Sequence, residues 1–358
     1  MMKIRPIVYL ILILLCSLSW SCEGEKDADI EGIELDIDFK RLDLGMMEAA
    51  KALKENPTLE VEEVFDTYFA EDRDFYLNYL GIGGPEYERA GIKETQYDSL
   101  MGLQLKEFLA DSLMFQLLDT LNQIIPLEYP FAEKLSAPLK RLGQYFPDTQ
   151  IPALRTHANG FVSGIDLRGA DQLASVPGYI SLGLHYFLGK DFPYYPENIY
   201  AYQRRRFDLD HLEVVFAKSI AEEFVARRNP AQKRKLIDGM IHAGIKQYFV
   251  KQLLPYTSDS LRLYYTATQL RWAEQYEEKI YSLLLDKLFD SDFKMHRNYL
   301  ADKPYTTELS DDSAPRIGEY LGWKIVEKYM KDHPEVSLAE LCDMQDYEAI
   351  FRSARYKP

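Results

Sequence analysis

A run of apolar residues from Ile7 to Leu18 sets the first limit on this chain, because an amino-terminal segment of that kind is cut away from what folds. Lys3 and Arg5 give it a basic start, and only Cys16 and Ser17 interrupt it. Ser19, Trp20, Ser21 and Cys22 close it, ahead of the charged stretch Glu23 to Asp29. The run is shorter than the ~18 to 20 residues a permanent membrane-crossing helix needs. Residues 1–21 are therefore expected to be a cleaved export signal, and the folded body has to be built from residue 22 onward.

The residue after the cut is a cysteine with the small Ser21 before it, the arrangement a bacterial lipoprotein signal peptidase cuts before the cysteine is acylated. The leucine commonly found three residues before that cysteine is here Leu18, one place further back. Cys16 is a poorer acceptor because bulky Leu15 precedes it. Lipidation is expected at Cys22. More than one acyl chain, at about 0.8 kcal/mol per buried CH₂, makes a stable anchor. The chain should then sit on a membrane of the cell envelope, facing the periplasm, without spanning it. Acylation of Cys22 leaves Cys342 alone, so no disulfide framework is available. Some 336 residues beyond Cys22 can bury a sizeable core without one. The formal charge of −15 falls to about −17 once Lys3 and Arg5 leave with the signal, so nucleic acid is not expected as a partner.

Residues 22–31 are acidic and nearly free of apolar side chains, which suits a tether, and residues 32–358 are expected to form a single domain. Apolar and acidic residues alternate from Ile33 to Phe39, the pattern of a half-buried strand. Val61 to Leu80 and Leu100 to Ile124 carry helical spacing, with a Gly81–Gly84 loop between them and a short helix punctuated by Pro126, Pro130 and Pro138 after them. Between Pro147 and Pro196 the texture is that of strands: an Asn159–Gly160 turn, Phe161 to Leu167, then alternation at Ile180, Leu182 and Leu184. The second half predicts helix after helix. Asp210 with Glu213 resembles a capping box before Leu212, Phe216, Ile220 and Phe224. Asn229–Pro230 opens a helix with Leu236, Met240, Gly244 and Tyr248 on one face. Trp272, Tyr276, Ile280, Leu284 and Leu288 form a long stripe, and Ser337 with Glu340 makes a further capping box. The fold class expected is α+β, predominantly α-helical with a small mixed β-sheet.

Catalytic signatures are sparse. No two of the six histidines are four apart, so the His-Glu-x-x-His zinc helix is missing. His211 and Glu213, two apart on a helix, point in different directions. No Gly-x-Ser-x-Gly elbow occurs, Gly81–Gly84 lacks the lysine of a phosphate loop, and Glu222–Glu223 diverge from one another. No cofactor is expected. Arg204, Arg205 and Arg206 form the one dense basic spot, suited to an acidic partner or to internal ion pairs. With 26 tyrosines in the chain, those on apolar faces (Tyr76, Tyr79, Tyr248, Tyr276) belong in the core, whereas Tyr194 and Tyr195, between prolines in a loop, are the better interface candidates. Gly318 and Gly322, four apart in a helix beginning near Pro315, point to a close packing joint.

Leu182 to Gly189, Phe192 to Pro196, Tyr264 to Trp272, Ser313 to Val326 and the ending Lys357–Pro358 together resemble the gliding-motility lipoprotein GldB family of the Bacteroidota. The likeness runs over nearly the whole chain and departs at Ala314. It implies a cell-envelope lipoprotein required for surface gliding and linked to the type IX secretion machinery. Taken with the lipid signal and the missing catalytic sets, it leads to the expectation of a non-catalytic protein acting through contact with gliding and secretion apparatus proteins. That family is also distantly similar to predicted zinc proteases, which implies a zincin-like body. The metal helix would correspond to Asp210–Arg227, where Lys218 to Phe224 holds no histidine, so the metal site would be lost and a cleft kept. The alternative is a metal-dependent peptidase assembling an unorthodox site from His211, Glu213 and His242. A glycan-binding lipoprotein rests on aromatic content and compartment alone.

Overall fold

The alternation from Ile33 to Phe39 survives in three dimensions, with Ile33, Leu35, Ile37 and Phe39 half-buried and Glu34, Asp36 and Asp38 exposed, yet only its end is a strand. This is a computed structural model, and it describes residues 30–80, 82, 87, 89–158, 173–176, 178–197, 199–226 and 235–358. Outside the described residues lie the signal segment 1–21, Cys22 and most of the tether, and Gly81, Gly83 and Gly84. The Asn159–Gly160 turn with Phe161 to Leu167, and the Asn229–Pro230 helix start, lie outside them too.

The sheet is small and mixed. Strand β1 (Phe39–Lys40) runs parallel to β2 (Ala153–His157), β2 runs parallel to β4 (Tyr179–Gly183), and β3 (Leu173–Val176) lies antiparallel on β4, in the order β1-β2-β4-β3. Phe39 pairs with Leu154, so Ile37 would face Pro152, which has no N–H to give. That is why the expected strand is cut to two residues. From Leu154 to His157 every residue of β2 is buried, as parallel strands covered on both faces are. Its polar side chains are each satisfied: Arg155 by Asp38 at 2.8 Å and Asp72 at 3.3 Å, Thr156 by Asp43, and His157 Nδ1 by Ser181 Oγ at 2.8 Å.

Between β1 and β2 come helices α1 (Leu42–Glu55), α2 (Val61–Tyr68), α3 (Arg73–Tyr79), α4 (Tyr97–Ala110), α5 (Ser112–Ile124) and α6 (Phe131–Tyr145). The expected helix through Leu100–Ile124 is broken at Asp111, whose carboxylate accepts from the N–H groups of Leu113 (2.6 Å) and Met114 (3.3 Å) and starts a new helix. Pro138, expected as punctuation, lies inside α6. Beyond the sheet come α7 (Ala201–Arg204), α8 (Leu212–Ala221) and α9 (Leu236–Leu253), then α10 (Asp259–Arg262), α11 (Ala267–Gln275), α12 (Glu277–Leu285) and α13 (Phe293–Tyr299), and finally α14 (Ile317–Asp332), α15 (Leu338–Asp343) and α16 (Tyr347–Ala354). Asp210 does not cap α8. His211 N–H bonds back to Asp208 O, so residues 209–211 already form a 3₁₀ turn and α8 starts one step later. The stripe from Trp272 to Leu288 is split at Tyr276, which is 36% exposed instead of core. The Ser337–Glu340 capping box is present.

Helix α9 is buried on all sides, well beyond the single face Leu236, Met240, Gly244 and Tyr248 that its spacing predicts. It is the hub against which α6, α8, α14 and α16 pack. Its tightest neighbour is α14. A Cβ on Gly322 would overlap the backbone of Met240, and one on Gly244 would overlap the backbone of Gly322. Backbone cannot yield as a flexible side chain does, so Gly322→Ala is expected to destabilise by about 1–3 kcal/mol or more. Gly143→Ala, at a helical position with nothing within 4 Å, should be stabilising by about 0.5–1 kcal/mol. Urea unfolding midpoints of the two variants check this, and equal effects would refute the joint.

Candidate functional site

Next to the glycine joint, two charged residues of otherwise apolar faces meet. Lys218 sits on α8 among buried Val214, Val215, Ala217 and Ala221, and Glu319 sits on α14 one turn before Gly322, on the side that meets α9. Neither could be buried alone without a large desolvation cost. Lys218 Nζ lies 3.4 Å from Glu319 Oε1, Gln247 of α9 donates its amide to the same oxygen, and Arg316 Nε donates to Oε2 at 2.9 Å. One carboxylate thus ties three helices and the turn before α14.

Arg316 extends the cluster. Its two remaining nitrogens reach Asp302 Oδ1 and Leu263 O, each at 2.5 Å, and Asp302 also accepts from Arg206 at 2.6 Å. The ring of Tyr264 meets two cations, with the Arg206 guanidinium 4.5 Å and the Lys218 ammonium 4.9 Å from its centroid. Tyr265 Oη donates to Pro315 O at 2.6 Å, tying the two turns to each other. Both Tyr264 (φ 55°) and Arg316 (φ 46°) adopt left-handed backbone, which costs a bulky residue about 1–3 kcal/mol and persists only where the surroundings enforce it. The electrostatics follow from burial and pairing. Burial pushes the Lys218 ammonium down to about 8 despite Glu319, and Tyr264 up to about 12. Glu319, although burial opposes its charge, is held down to about 2 by Lys218 and Arg316.

Beside this cluster lies a cavity of about 280 Å³, lined by Lys218, Glu222, His242, Lys246, Gln247 and Glu319 among others. Its charges balance: Lys218 is engaged by Glu319, and Lys246 by Glu222. The cations that sit on the Glu319 carboxylate are Lys218 and Arg316 of the chain itself. Among the described residues, no group of three or more His, Cys, Asp or Glu side chains is placed to hold a metal. His211, Glu213 and His242 are not brought together. His211 lies 5.8 Å from the Tyr264 ring, and His242 Nδ1 is bonded to Tyr347 Oη at 2.9 Å. Glu213 lies with Asp210 near Tyr129, whose phenol is pushed up chiefly by burial and further by those two carboxylates.

The candidate interface residues separate. Tyr194 is 77% exposed, but Tyr195 is 4% exposed, its ring packed on Phe192 and Phe207 and its hydroxyl accepting from Leu188 N–H at 3.2 Å. Arg206 faces inward onto Asp302, Arg204 donates to Ile199 O at 3.0 Å, and Arg205 is exposed. Cys22 lies outside the described residues. Sequence reading missed Lys218, Tyr264, Asp302, Arg316 and Glu319 as one unit. The available signal was a lysine and a glutamate on helix faces that are otherwise apolar.

The family profile described as "Gliding motility protein GldB" matches residues 23–358. No curated protein and no solved structure matches the chain.

Glu319 titrates at about 2 in the fold against 4.5 unfolded, so its contribution is complete above pH 4.5 and is lost as pH falls from there toward 2. Lys218 titrates at about 8 against 10.5, so below pH 8 its burial costs stability that is regained as pH rises toward 10.5. Glu319→Gln should cost about 3–5 kcal/mol at neutral pH, because Lys218 and Arg316 lose their carboxylate. It should also flatten the stability profile between pH 2 and 4.5, while Lys218→Met removes the rise between pH 8 and 10.5. Denaturant melts across pH measure both. A Glu319→Gln profile parallel to wild type on the acid side would show that the carboxylate is not held as described.

Proposed function

The chain belongs to the gliding motility protein GldB family, and from that premise we propose that it is a non-catalytic lipoprotein of the cell envelope that acts by contact with proteins of the gliding and type IX secretion apparatus. Acylated Cys22 holds it to the membrane, and residues 32–358 face the periplasm as one body. No helix of the described residues is long and apolar enough to cross a membrane, which is in keeping with an anchor outside the fold.

The pairing of the charges in and beside the cavity supports the contact reading. Glu319 is occupied by Lys218, Gln247 and Arg316, Asp302 by Arg206 and Arg316, and Lys246 by Glu222. General acid–base or nucleophilic chemistry needs a group poised toward a substrate. Here the ionisable groups are poised toward one another, which suits a rigid scaffold for a binding surface.

Radiolabelled palmitate should enter the wild type and not Cys22→Ala, and only the wild type should restore colony spreading and adhesin export to a deletion strain. Affinity isolation from solubilised envelopes should recover apparatus components. Label entering Cys22→Ala equally would remove the anchor. Normal export in the deletion strain, with no apparatus component recovered, would remove the contact role. Near-stoichiometric zinc surviving dialysis would replace the reading with the metal-dependent peptidase.

A further inference from the structure

Helices α4 and α5 meet at Asp111 and leave a groove of about 980 Å³, walled on one side by the loop that carries Phe192 and Tyr194. Apolar surface lines it from both helices, with Phe108 from α4 and Leu113 and Leu117 from α5. Leu113 is 72% exposed and Tyr194 is 77% exposed, whereas most large apolar side chains of this protein are packed away. The Phe192 ring meets Tyr194 edge-on at 5.5 Å, holding the tyrosine as part of the wall. Exposed apolar surface gathered in one groove marks an interaction site more often than scattered single residues do.

The charges lining the groove say what kind of occupant fits. Glu107, Asp111 and Asp119 are all carboxylates, and no Lys, Arg or His accompanies them among the described lining residues. Complementary potential selects partners and suppresses wrong ones. An anionic bilayer would meet like charge, and so would a second copy of a chain whose formal charge is −15. We propose that this groove is a docking site for a segment of a partner protein that presents apolar side chains beside lysine or arginine, in the manner of an amphipathic helix laid into a groove. The proposal rests on the contact reading above and gives that contact a place and a chemistry.

The full acylated chain in phosphatidylcholine nanodiscs is titrated with two fluorescein-labelled helical peptides that share one leucine face, the polar face being lysine in one and glutamate in the other. The lysine peptide is expected to bind about tenfold or more tighter. Leu113→Asp, at an exposed position that leaves the unfolding midpoint unchanged, should cost about tenfold in that affinity, and Glu107→Lys with Asp119→Lys should reverse the preference between peptides. Equal binding of both peptides, binding of neither, or binding indifferent to these variants overturns the proposal. So does Leu113→Asp abolishing a dimer seen by sedimentation, or releasing the protein from phosphatidylglycerol vesicles, because the groove would then serve a second copy or a membrane. Apparatus proteins still co-isolating from cells that carry Leu113→Asp would remove the groove alone. Their absence from wild-type isolates would remove the contact reading, whatever the peptides do.

Discussion

The Glu319 carboxylate is the point on which the second half of the molecule turns. It accepts from α8 through Lys218, from α9 through Gln247 and from the turn before α14 through Arg316, so three separately encoded segments are set by one acceptor pair. Such an arrangement is a poor way to gain raw stability, because an apolar trio of similar volume would avoid the desolvation of several ions. Its value lies in geometry. An apolar core tolerates small slips of one helix past another, whereas a carboxylate with fixed donors admits one register. The glycines go with this, since Gly244 and Gly322 let the two backbones touch beside the point where Gln247 donates to Glu319.

The same logic accounts for the strained turns. Tyr264 and Arg316 are two of the three described residues other than glycine with left-handed backbone, and they lie on either side of one cluster. Left-handed Arg316 spends its donors on Glu319, Asp302 and Leu263 O, and Tyr264 receives two cations on its ring. The strain of each turn is offset by contacts only that conformation makes. Removing either set of contacts would leave a turn with no reason to stay as it is.

Legibility in the sequence followed the range of the physics. Periodicity located the helices and the sheet's alternating lead-in, and local chemistry located the Ser337–Glu340 box, whose residues lie within one turn of each other. The Gly318–Gly322 spacing marked close packing on α14, but the backbone that Gly322 meets, at Met240 and Gly244, lies some eighty residues away. What failed was decided by a distant or unlooked-for partner. Ile33 to Ile37 has strand patterning, but in the register of β1 Ile37 would face Pro152, more than a hundred residues away in the chain. The split at Asp111 was local, and its cap was hidden because apolar spacing continues across it. Tyr195 and Tyr194 are adjacent in an irregular loop, and only Phe192, Phe207 and Leu188 decide which one is inside. The charge cluster was the least legible, since Lys218, Tyr264, Asp302 and Glu319 are scattered over a hundred residues and no short motif spans them.

Anchor, charge and surface are mutually constrained on the proposed reading. A body with a formal charge near −17 after processing is pushed away from an anionic leaflet, with the repulsion confined to roughly 8 Å at physiological salt. The acyl chains supply attraction that does not depend on charge, and the acidic residues Glu23 to Glu31 separate the two. Repulsion over so short a range cannot detach such an anchor, but it can keep an acidic face from lying flat on the lipid. An apolar groove lined by Glu107, Asp111 and Asp119 therefore stays clear of the bilayer that would otherwise be its most abundant apolar competitor, and it remains open to a basic segment of another protein.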